Sequence, residues 1–179
     1  MHNTILAKID MTEFYSIGFN SRNVDLFLEV IGEYNETKLI TGEIKPNILK
    51  LKKSQGRYES DILRLQDTSN FVISDRMYQE IQLNGLTGWN EYDIEVTGLN
   101  SKYYGFQVTG KCGKLIRPEK KGFVKGLYIE IEKWNGEDFF ILETTTNIIC
   151  TEKAKSILKT LNLPSIEITN VKEYSWYNA

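Results

Sequence analysis

The sequence predicts an α+β fold: a mostly antiparallel sheet with two short helices in two similar strand–helix units. Three observations predict it. The chain holds 10 tyrosines, 8 phenylalanines and 3 tryptophans against 3 prolines, a composition that favours strands. Several segments alternate between apolar and polar residues, as half-buried strands do. Two later segments begin with a hydroxyl-bearing residue followed by an acid, which is typical of a capped helix.

The composition indicates a single folded domain. The chain has 179 residues, of which 41% are hydrophobic and 26% charged, as in an ordinary globular protein. We therefore expect one domain over residues 1–179, with a β-rich N-terminal part over residues 1–60. Basic and acidic residues number 22 and 24, whereas a protein that coats a polyanion is usually far more basic.

Short apolar segments predict the strands of the N-terminal part and a first hairpin. The predicted N-terminal strands are Phe14–Phe19, Lys38–Ile44, Ile48–Leu51 and Val24–Ile31, the last of which is equally compatible with a short helix. Further along, Tyr92–Thr97 and Tyr104–Thr109 alternate and are separated by a Gly-Leu-Asn-Ser-Lys stretch. This spacing predicts an antiparallel hairpin.

A second hairpin is predicted over residues 127–143. Leu127–Lys133 alternates strictly between apolar and polar residues, and Asn135-Gly136 separates it from the apolar segment Asp138–Glu143. An Asn-Gly pair favours a type I′ turn, because both central residues of that turn need a positive φ. Alternation on both sides of such a pair is the strongest local signal for a hairpin.

Two segments carry the start and stop signals of short helices. Ser74 and Thr151 can each accept a hydrogen bond from the exposed backbone amides of a following helix, and each is followed by an acid that the helix dipole favours. Gly85 follows the first segment as a helix terminator. Pro164 blocks continuation of the second, which therefore ends near Leu161.

These two segments also align with each other. A shift of 77 positions places residues 61–86 on residues 138–163 without a gap. The identical pairs are Asp61 with Asp138, Leu65 with Leu142, Thr68 with Thr145, Asn70 with Asn147 and Leu86 with Leu163. The register predicts internal repeat units over residues 61–98 and 138–171. The alternative is two unrelated strand–helix units that share the same capping residues.

Several kinds of catalytic site are nearly excluded by the residues present. The one histidine is His2, so a mechanism that needs an internal imidazole has no candidate. Cys112 and Cys150 form neither a C-x-x-C pair nor a disulfide framework, which favours a reducing compartment. Gly105–Lys111 matches G-x-x-x-x-G-K, but Cys112 follows it and no helix is predicted there. We expect no catalytic residue, no cofactor and no metal ion.

Two charged segments leave other functions open. Carboxylates on the predicted 127–143 hairpin could serve a small hydrolase, although their outward alternation is also that of a solvated sheet face. The basic loop of residues 111–125 could contact phosphates as a nucleic-acid or assembly accessory module. A protein partner could equally contact the loop and the hairpin. The candidate partner-binding residues are therefore Glu130, Glu132, Lys114, Arg117, Lys120 and Lys121.

Motifs between residues 71 and 164 resemble those of a bacterial protein family. They are Phe71-Val-Ile-Ser-Asp-Arg76, Gly85-Leu-Thr-Gly88, Lys133-Trp-Asn-Gly-Glu-Asp-Phe-Phe140, Ile148-Ile-Cys-Thr-Glu-Lys153 and Leu161-Asn-Leu-Pro164. Over about residues 58–176 this pattern resembles the eleventh class of immunity proteins of polymorphic toxin systems, a family first catalogued as a domain of unknown function. The second unit departs from the pattern, with Asn162-Leu-Pro164 where Gly-Leu-Thr-Gly is expected, and residues 1–57 lie outside the resemblance.

The resemblance implies a non-catalytic immunity protein that binds and neutralises a cognate toxin protein encoded next to it. Residues 1–14 show no apolar run behind a basic start, and no apolar run approaches the ~20 residues of a membrane span, so we expect a cytoplasmic protein without a membrane partner. Nucleic acid is not the expected partner. The identity of the toxin, the contact face and the oligomeric state stay open.

Overall fold

A computed structural model of the chain describes residues 14–20, 22–66, 69–119 and 121–178. Over these residues the protein is mostly β, with 13 strands and three short α-helices. The strands form a closed six-stranded barrel, an open five-stranded sheet and a two-stranded ribbon. The prediction of an α+β fold was therefore wrong: helices are a minor part, and the closed barrel was not predicted.

The elements follow one another along the chain as short segments. Strand β1 (Phe14–Phe19) belongs to the open sheet. The barrel strands are β2 (Phe27–Val30), β3 (Ile48–Gln55), β4 (Ile62–Leu65), β5 (Phe71–Ser74), β6 (Trp89–Glu95) and β7 (Tyr103–Val108). The later strands are β8 (Gly110–Cys112), β9 (Gly122–Lys125), β10 (Phe139–Leu142), β11 (Ile148–Thr151), β12 (Ile166–Asn170) and β13 (Ser175–Asn178). The helices are α1 (Glu36–Ile40), α2 (Asp75–Leu83) and α3 (Glu152–Thr160).

The barrel closes through β3. Its strand order is β2-β3-β6-β7-β5-β4, and β3 pairs antiparallel with β2 and parallel with β6. Leu49 and Leu51 point into the barrel and are buried, while Ile48 and Lys50, which alternate with them, are exposed. Alternation predicts such a strand but not its neighbours, and parallel pairing across some 40 residues leaves no local signal.

The open sheet repeats the order of neighbours found in the barrel. Its order, β8-β10-β11-β1-β12, corresponds strand for strand to β2-β4-β5-β7-β6, and β3 is the additional strand that closes the barrel. The segments β4, β5 and α2 have the same lengths as β10, β11 and α3 and precede them by 77 positions. The same elements therefore follow in the same order in residues 61–98 and 138–171.

The predicted hairpin over residues 127–143 was wrong. Ile129 forms a single bridge with Leu115, and Ile131–Lys133 is a 3-10 turn. Strand β10 pairs instead with β8 on one edge and β11 on the other. Gly136 has a positive φ of 87°, but Asn135 lacks the positive φ that the predicted type I′ turn needs. The hairpin fails because both edges of the buried strand β10 are occupied by strands from elsewhere in the chain.

The other local predictions divide between success and failure. Strand β1, the β6–β7 hairpin and helices α2 and α3 are confirmed. The ambiguous segment Val24–Ile31 contains strand β2. The predicted strand Lys38–Ile44 was wrong, because residues 36–40 form helix α1, whose first turn is capped by the Asn35 side chain accepting from the Lys38 amide at 2.9 Å.

One hydrophobic core joins the barrel to the open sheet. It contains Met77 and Ile81 of α2, together with Ala154 and Leu158 of α3. Phe106 of the barrel stands in the same core. A separate cluster fills the barrel, and a third lies beneath the β9–β13 ribbon. Among the described residues, no helix combines the length and the apolar character needed to cross a membrane.

Candidate partner-binding site

The β9–β13 ribbon presents two aromatic rings to solvent. Phe123 stands opposite Tyr177 in the antiparallel pair, and Val124 stands opposite Trp176. Because successive side chains of a strand point to opposite faces, Phe123 and Tyr177 share the outer face, where they are 82% and 63% exposed. Their ring centroids lie 5.5 Å apart in an edge-to-face arrangement. The outer face therefore carries an aromatic pair that is already oriented.

The inner face of the ribbon fastens it to the body of the protein. Trp176 donates its indole N–H to the Gly126 carbonyl at 3.0 Å, and the Arg117 guanidinium lies 5.6 Å from the centroid of the Trp176 ring. Asn178 is buried and donates its amide to the Pro118 carbonyl at 2.9 Å. These contacts hold the exposed rings on a fixed support.

An apolar groove of about 450 Å³ lies beside the ribbon. Its lining residues are Ile116, Lys125, Gly126, Leu127, Tyr128, Ile129 and Lys172. Ile116 and Tyr128 are about half exposed, and the Ile116 amide donates to the Tyr128 carbonyl at 2.7 Å. We call the surface formed by Ile116, Phe123, Lys125, Tyr128, Lys172 and Tyr177 the ribbon face. Contiguous exposed apolar side chains with a polar rim are typical of protein interaction sites.

Three of the four predicted basic residues lie on the loop that leads from β8 to the ribbon. Lys114, Arg117 and Lys121 are exposed, and Lys120 lies outside the described residues. Arg117 has a structural contact as well, because it packs over Trp176. The loop therefore brings positive charge next to the ribbon face.

Of the predicted acidic residues, Glu130 is bound to neighbouring basic residues. Glu130 accepts from the Lys114 amide at 3.2 Å and pairs with the Lys133 ammonium at 2.9 Å. The hydrogen bond from Lys133, with that from Lys114, lowers the pKa of Glu130. A general acid for glycoside hydrolysis needs a raised pKa instead. Glu132 is exposed on the 3-10 turn. Within the described ranges, no three His, Cys, Asp or Glu residues form a group that could hold a metal ion.

A second concave site, a polar cleft of about 880 Å³, lies where the barrel meets the C-terminal end of α3. Asp61 in this cleft accepts hydrogen bonds from the Ser74 hydroxyl at 2.5 Å and from Arg76 Nε at 3.1 Å. Arg76 also donates to the Leu161 carbonyl at 3.0 Å. Burial raises the pKa of Asp61, but the hydrogen bonds from Arg76 and Ser74 outweigh it, so the carboxyl pKa lies below its ordinary value.

The two cysteines are buried and are not activated as nucleophiles. Burial raises the pKa of the Cys112 thiol to about 11, and burial raises that of Cys150 to about 12. Because the thiolate is the reactive form, both groups are held in their unreactive form near neutral pH. This agrees with their packing in hydrophobic clusters.

No protein-family model matches the chain, and no curated protein sequence matches it. Its function therefore has to be inferred from the chemistry of its surfaces.

Sequence reasoning placed the basic loop next to the site but missed the apolar residues that form it. Phe123 stands in the segment Lys121-Gly-Phe-Val-Lys-Gly126, and an aromatic residue between two glycines and two lysines is a usable sign of a short exposed strand. Tyr177 gives no comparable sign. It is 54 positions away, and only strand pairing shows that it shares a face with Phe123.

Proposed function

We propose that this protein is a non-catalytic immunity protein of a bacterial polymorphic toxin system, which binds one cognate toxin protein in the cytoplasm and neutralises it. The ribbon face carries the proposal, because it offers two exposed aromatic rings on a fixed support beside an apolar groove. The resemblance of residues 58–176 to the eleventh immunity class supports a toxin as the partner.

The ribbon face has the chemistry that concentrates binding energy in protein interfaces. A standard interface covers roughly 800 Å² on each partner, and a few aromatic or arginine anchors contribute most of the binding energy. Phe123 and Tyr177 hold each other in place before binding. Less side-chain entropy is therefore lost when a partner covers them.

Charge around the groove indicates the kind of toxin surface that fits. Lys125 and Lys172 line the groove, and Lys114 and Lys121 are exposed on the adjoining loop. We propose that the toxin presents an apolar side chain to the groove, surrounded by carboxylates that face these lysines. Such complementarity accelerates association and disfavours partners of the wrong charge.

A single-stranded nucleic acid could also stack on exposed rings among lysines. A protein is favoured by two observations. The groove is lined by the aliphatic side chains of Ile116, Leu127 and Ile129, which match an apolar side chain. The chain as a whole also carries a net charge of -2, which does not favour a polyanion.

The test is co-expression of the full chain with the product of the adjacent gene, followed by co-purification and measurement of growth. We expect the two proteins to co-purify and growth to be rescued. The double substitution Phe123→Ala/Tyr177→Ala is expected to weaken binding by about 100-fold or more, because each anchor contributes about 2 kcal/mol. Leu83→Ala, which removes an apolar side chain that is 79% exposed on α2, is the matched control and should leave binding unchanged.

Two results would contradict the proposal. The first is that no product of a neighbouring gene binds the chain. The second is a shift of a single-stranded oligonucleotide that weakens steeply with salt and is lost in the same double variant, which would assign the ribbon face to nucleic acid.

A further inference from the structure

The two repeated units differ in the residues that contact their equivalent aspartates, Asp61 and Asp138. Asp138 accepts from the Thr151 hydroxyl at 2.7 Å through one oxygen. Its other oxygen accepts from the Thr87 amide at 3.1 Å, the Thr87 hydroxyl at 3.4 Å and the Lys153 ammonium at 3.3 Å. The Thr87 carbonyl in turn accepts from the Phe139 amide at 3.0 Å. A threonine from the other unit therefore covers this carboxylate.

Asp61 occupies the equivalent position, where its side-chain partners are Ser74 and Arg76 and no threonine of the described residues contacts it; its side chain is 19% exposed, against 12% for Asp138. The residue 77 positions after Thr87 is Pro164, which has neither a backbone N–H nor a hydroxyl to donate. Asp61 and Pro164 both line the 880 Å³ cleft. Asp61 and Pro164 therefore face one cleft, whereas the equivalent pair, Asp138 and Thr87, is in direct contact.

The frame around the two positions is otherwise the same. Gly85 and Asn162 end their helices with positive φ values of 57° and 51°. The basic side chains reach across in both directions, since Lys153 donates to the Gly85 carbonyl at 2.9 Å and Arg76 donates to the Leu161 carbonyl at 3.0 Å. Asn162 thereby takes the glycine position of the Gly-Leu-Thr-Gly motif, and the functional departure is the change from threonine to proline.

The Asp61 carboxylate also retains capacity to accept a further hydrogen bond. One of its oxygens accepts from Ser74 and Arg76 Nε, and the other accepts from the Arg76 terminal nitrogen. A carboxylate offers about four acceptor positions, two on each oxygen. At Asp138 the corresponding second oxygen is the one that accepts from Thr87. The charged residues lining the cleft nearly balance and are Glu59, Asp61, Asp75, Arg76 and Lys102.

We propose that the cleft at Asp61 binds a backbone segment of a partner protein that presents a threonine or serine, whose N–H and hydroxyl donate to Asp61 as Thr87 donates to Asp138. As a second contact for the toxin, this inference rests on the proposed function. The binding chemistry itself is independent of the ribbon face.

The first experiment uses a peptide probe and the unmodified chain. The ¹⁵N-labelled full-length protein is titrated with the blocked peptide acetyl-Gly-Leu-Thr-Gly-amide, which has the sequence of residues 85–88, and with the matched peptide acetyl-Gly-Leu-Val-Gly-amide. We expect saturable amide shifts at Asp61, Ser74 and Asn162 with the threonine peptide. The valine peptide should bind about tenfold more weakly, because it lacks the hydroxyl donor. If the two peptides bind with equal affinity, or if neither shifts the amide signals around the cleft, the inference is wrong.

The second experiment closes the cleft from within. Pro164→Thr restores the donor residue that the other unit has, and we expect it to abolish the peptide shifts while the remaining amide spectrum stays that of the folded chain. Pro164→Thr should also weaken binding of the cognate toxin by about tenfold. If toxin binding is unchanged by Pro164→Thr but lost in Phe123→Ala/Tyr177→Ala, this inference fails and the proposed function stands. If the threonine peptide binds selectively and no toxin does, the proposed function fails and the cleft remains a peptide site.

Discussion

Ser69 and Thr146, equivalent residues 77 positions apart, contact each other directly, with 3.0 Å between their hydroxyl oxygens. A contact between equivalent residues is what a twofold relationship produces at its axis. The bonds of Arg76 to Leu161 and of Lys153 to Gly85 also cross between the units in both directions, with their acceptors offset by one position. The two units therefore pack on each other within one chain much as two subunits of a symmetric dimer do.

The capping hydroxyls of the two helices should contribute equally to stability. Ser74 accepts from the Met77 amide at 3.2 Å and donates to Asp61, and Thr151 accepts from the Ala154 amide at 3.3 Å and donates to Asp138. We expect Ser74→Ala and Thr151→Val each to lower the free energy of unfolding by about 1–2 kcal/mol in urea denaturation. Ser156→Ala, on the exposed side of α3, is the control and should change it by less than about 0.5 kcal/mol. Equal effects of all three substitutions would contradict the prediction.

The Asp61–Arg76 pair should make stability depend on pH in the acid range. The pKa of Asp61 is lower in the folded chain than its ordinary 3.8, so its contribution is present above 3.8 and is lost as the pH falls through the lower folded value. Asp61→Asn should therefore reduce the free energy of unfolding at pH 7, and the difference from the unmodified chain should narrow as the pH falls below 4. Urea denaturation at a series of pH values checks this.

Asp93→Asn, which changes an exposed carboxylate on β6, is the matched control for the acid titration. The difference in the free energy of unfolding between Asp93→Asn and the unmodified chain should stay small at every pH. A difference for Asp61→Asn that does not vary with pH would rule out the linkage.

The Tyr92 ring should leave no room for a side chain at position 105 in the barrel. The two residues are paired across β6 and β7, and a Cβ on Gly105 would lie 2.0 Å from the buried Tyr92 ring. We expect Gly105→Ala to lower the free energy of unfolding by about 2–3 kcal/mol. In the Tyr92→Leu background the same substitution should be much less harmful.

Gly18→Ala is the control for the barrel substitution, because a Cβ on this strand residue meets only the Glu167 carbonyl at 3.8 Å. It should change stability by less than about 1 kcal/mol. An effect of Gly105→Ala that is the same with tyrosine or leucine at position 92 would show that the ring is not the obstacle.

Adjacent residues of β13 should separate stability from binding. Trp176 packs inward with its indole N–H bonded to Gly126, whereas Tyr177 is exposed beside Phe123. We expect Trp176→Ala to lower the free energy of unfolding by about 2–3 kcal/mol and Tyr177→Ala by no more than about 1 kcal/mol. Only Tyr177→Ala should weaken partner binding while the protein stays folded, as measured by circular dichroism and by titration with the toxin. A larger loss of stability for Tyr177→Ala than for Trp176→Ala would contradict this.

Local signals were sufficient for the helices and failed where strand partners are distant. Ser74 and Thr151 determine where α2 and α3 begin, because capping involves atoms only three residues apart. The Asn135-Gly136 pair has a positive φ at Gly136 alone, and its flanking segments do not pair. The pairing of a buried strand depends on the core that it completes. Strand β10 therefore pairs with β8 and β11 and not with residues 127–133.

The candidate sites were predictable only in part for the same reason. The basic loop that ends at Lys125 is visible in the sequence. The ribbon face needs Phe123 and Tyr177 on one surface, which depends on the register of β9 with β13. The cleft needs Asp61 and Pro164 side by side, although about 100 residues separate them.

The sequence by itself determined the positions of the capped helices and the register of 77 positions between the two units. Tertiary structure alone decided that β3 closes one sheet into a barrel, that an aromatic pair faces solvent, and that a threonine contacts one aspartate while the equivalent aspartate lines a cleft. The difference is physical: caps and turns are formed by neighbouring atoms of the chain, whereas barrel closure and cleft formation depend on contacts between segments that only the folded core brings together.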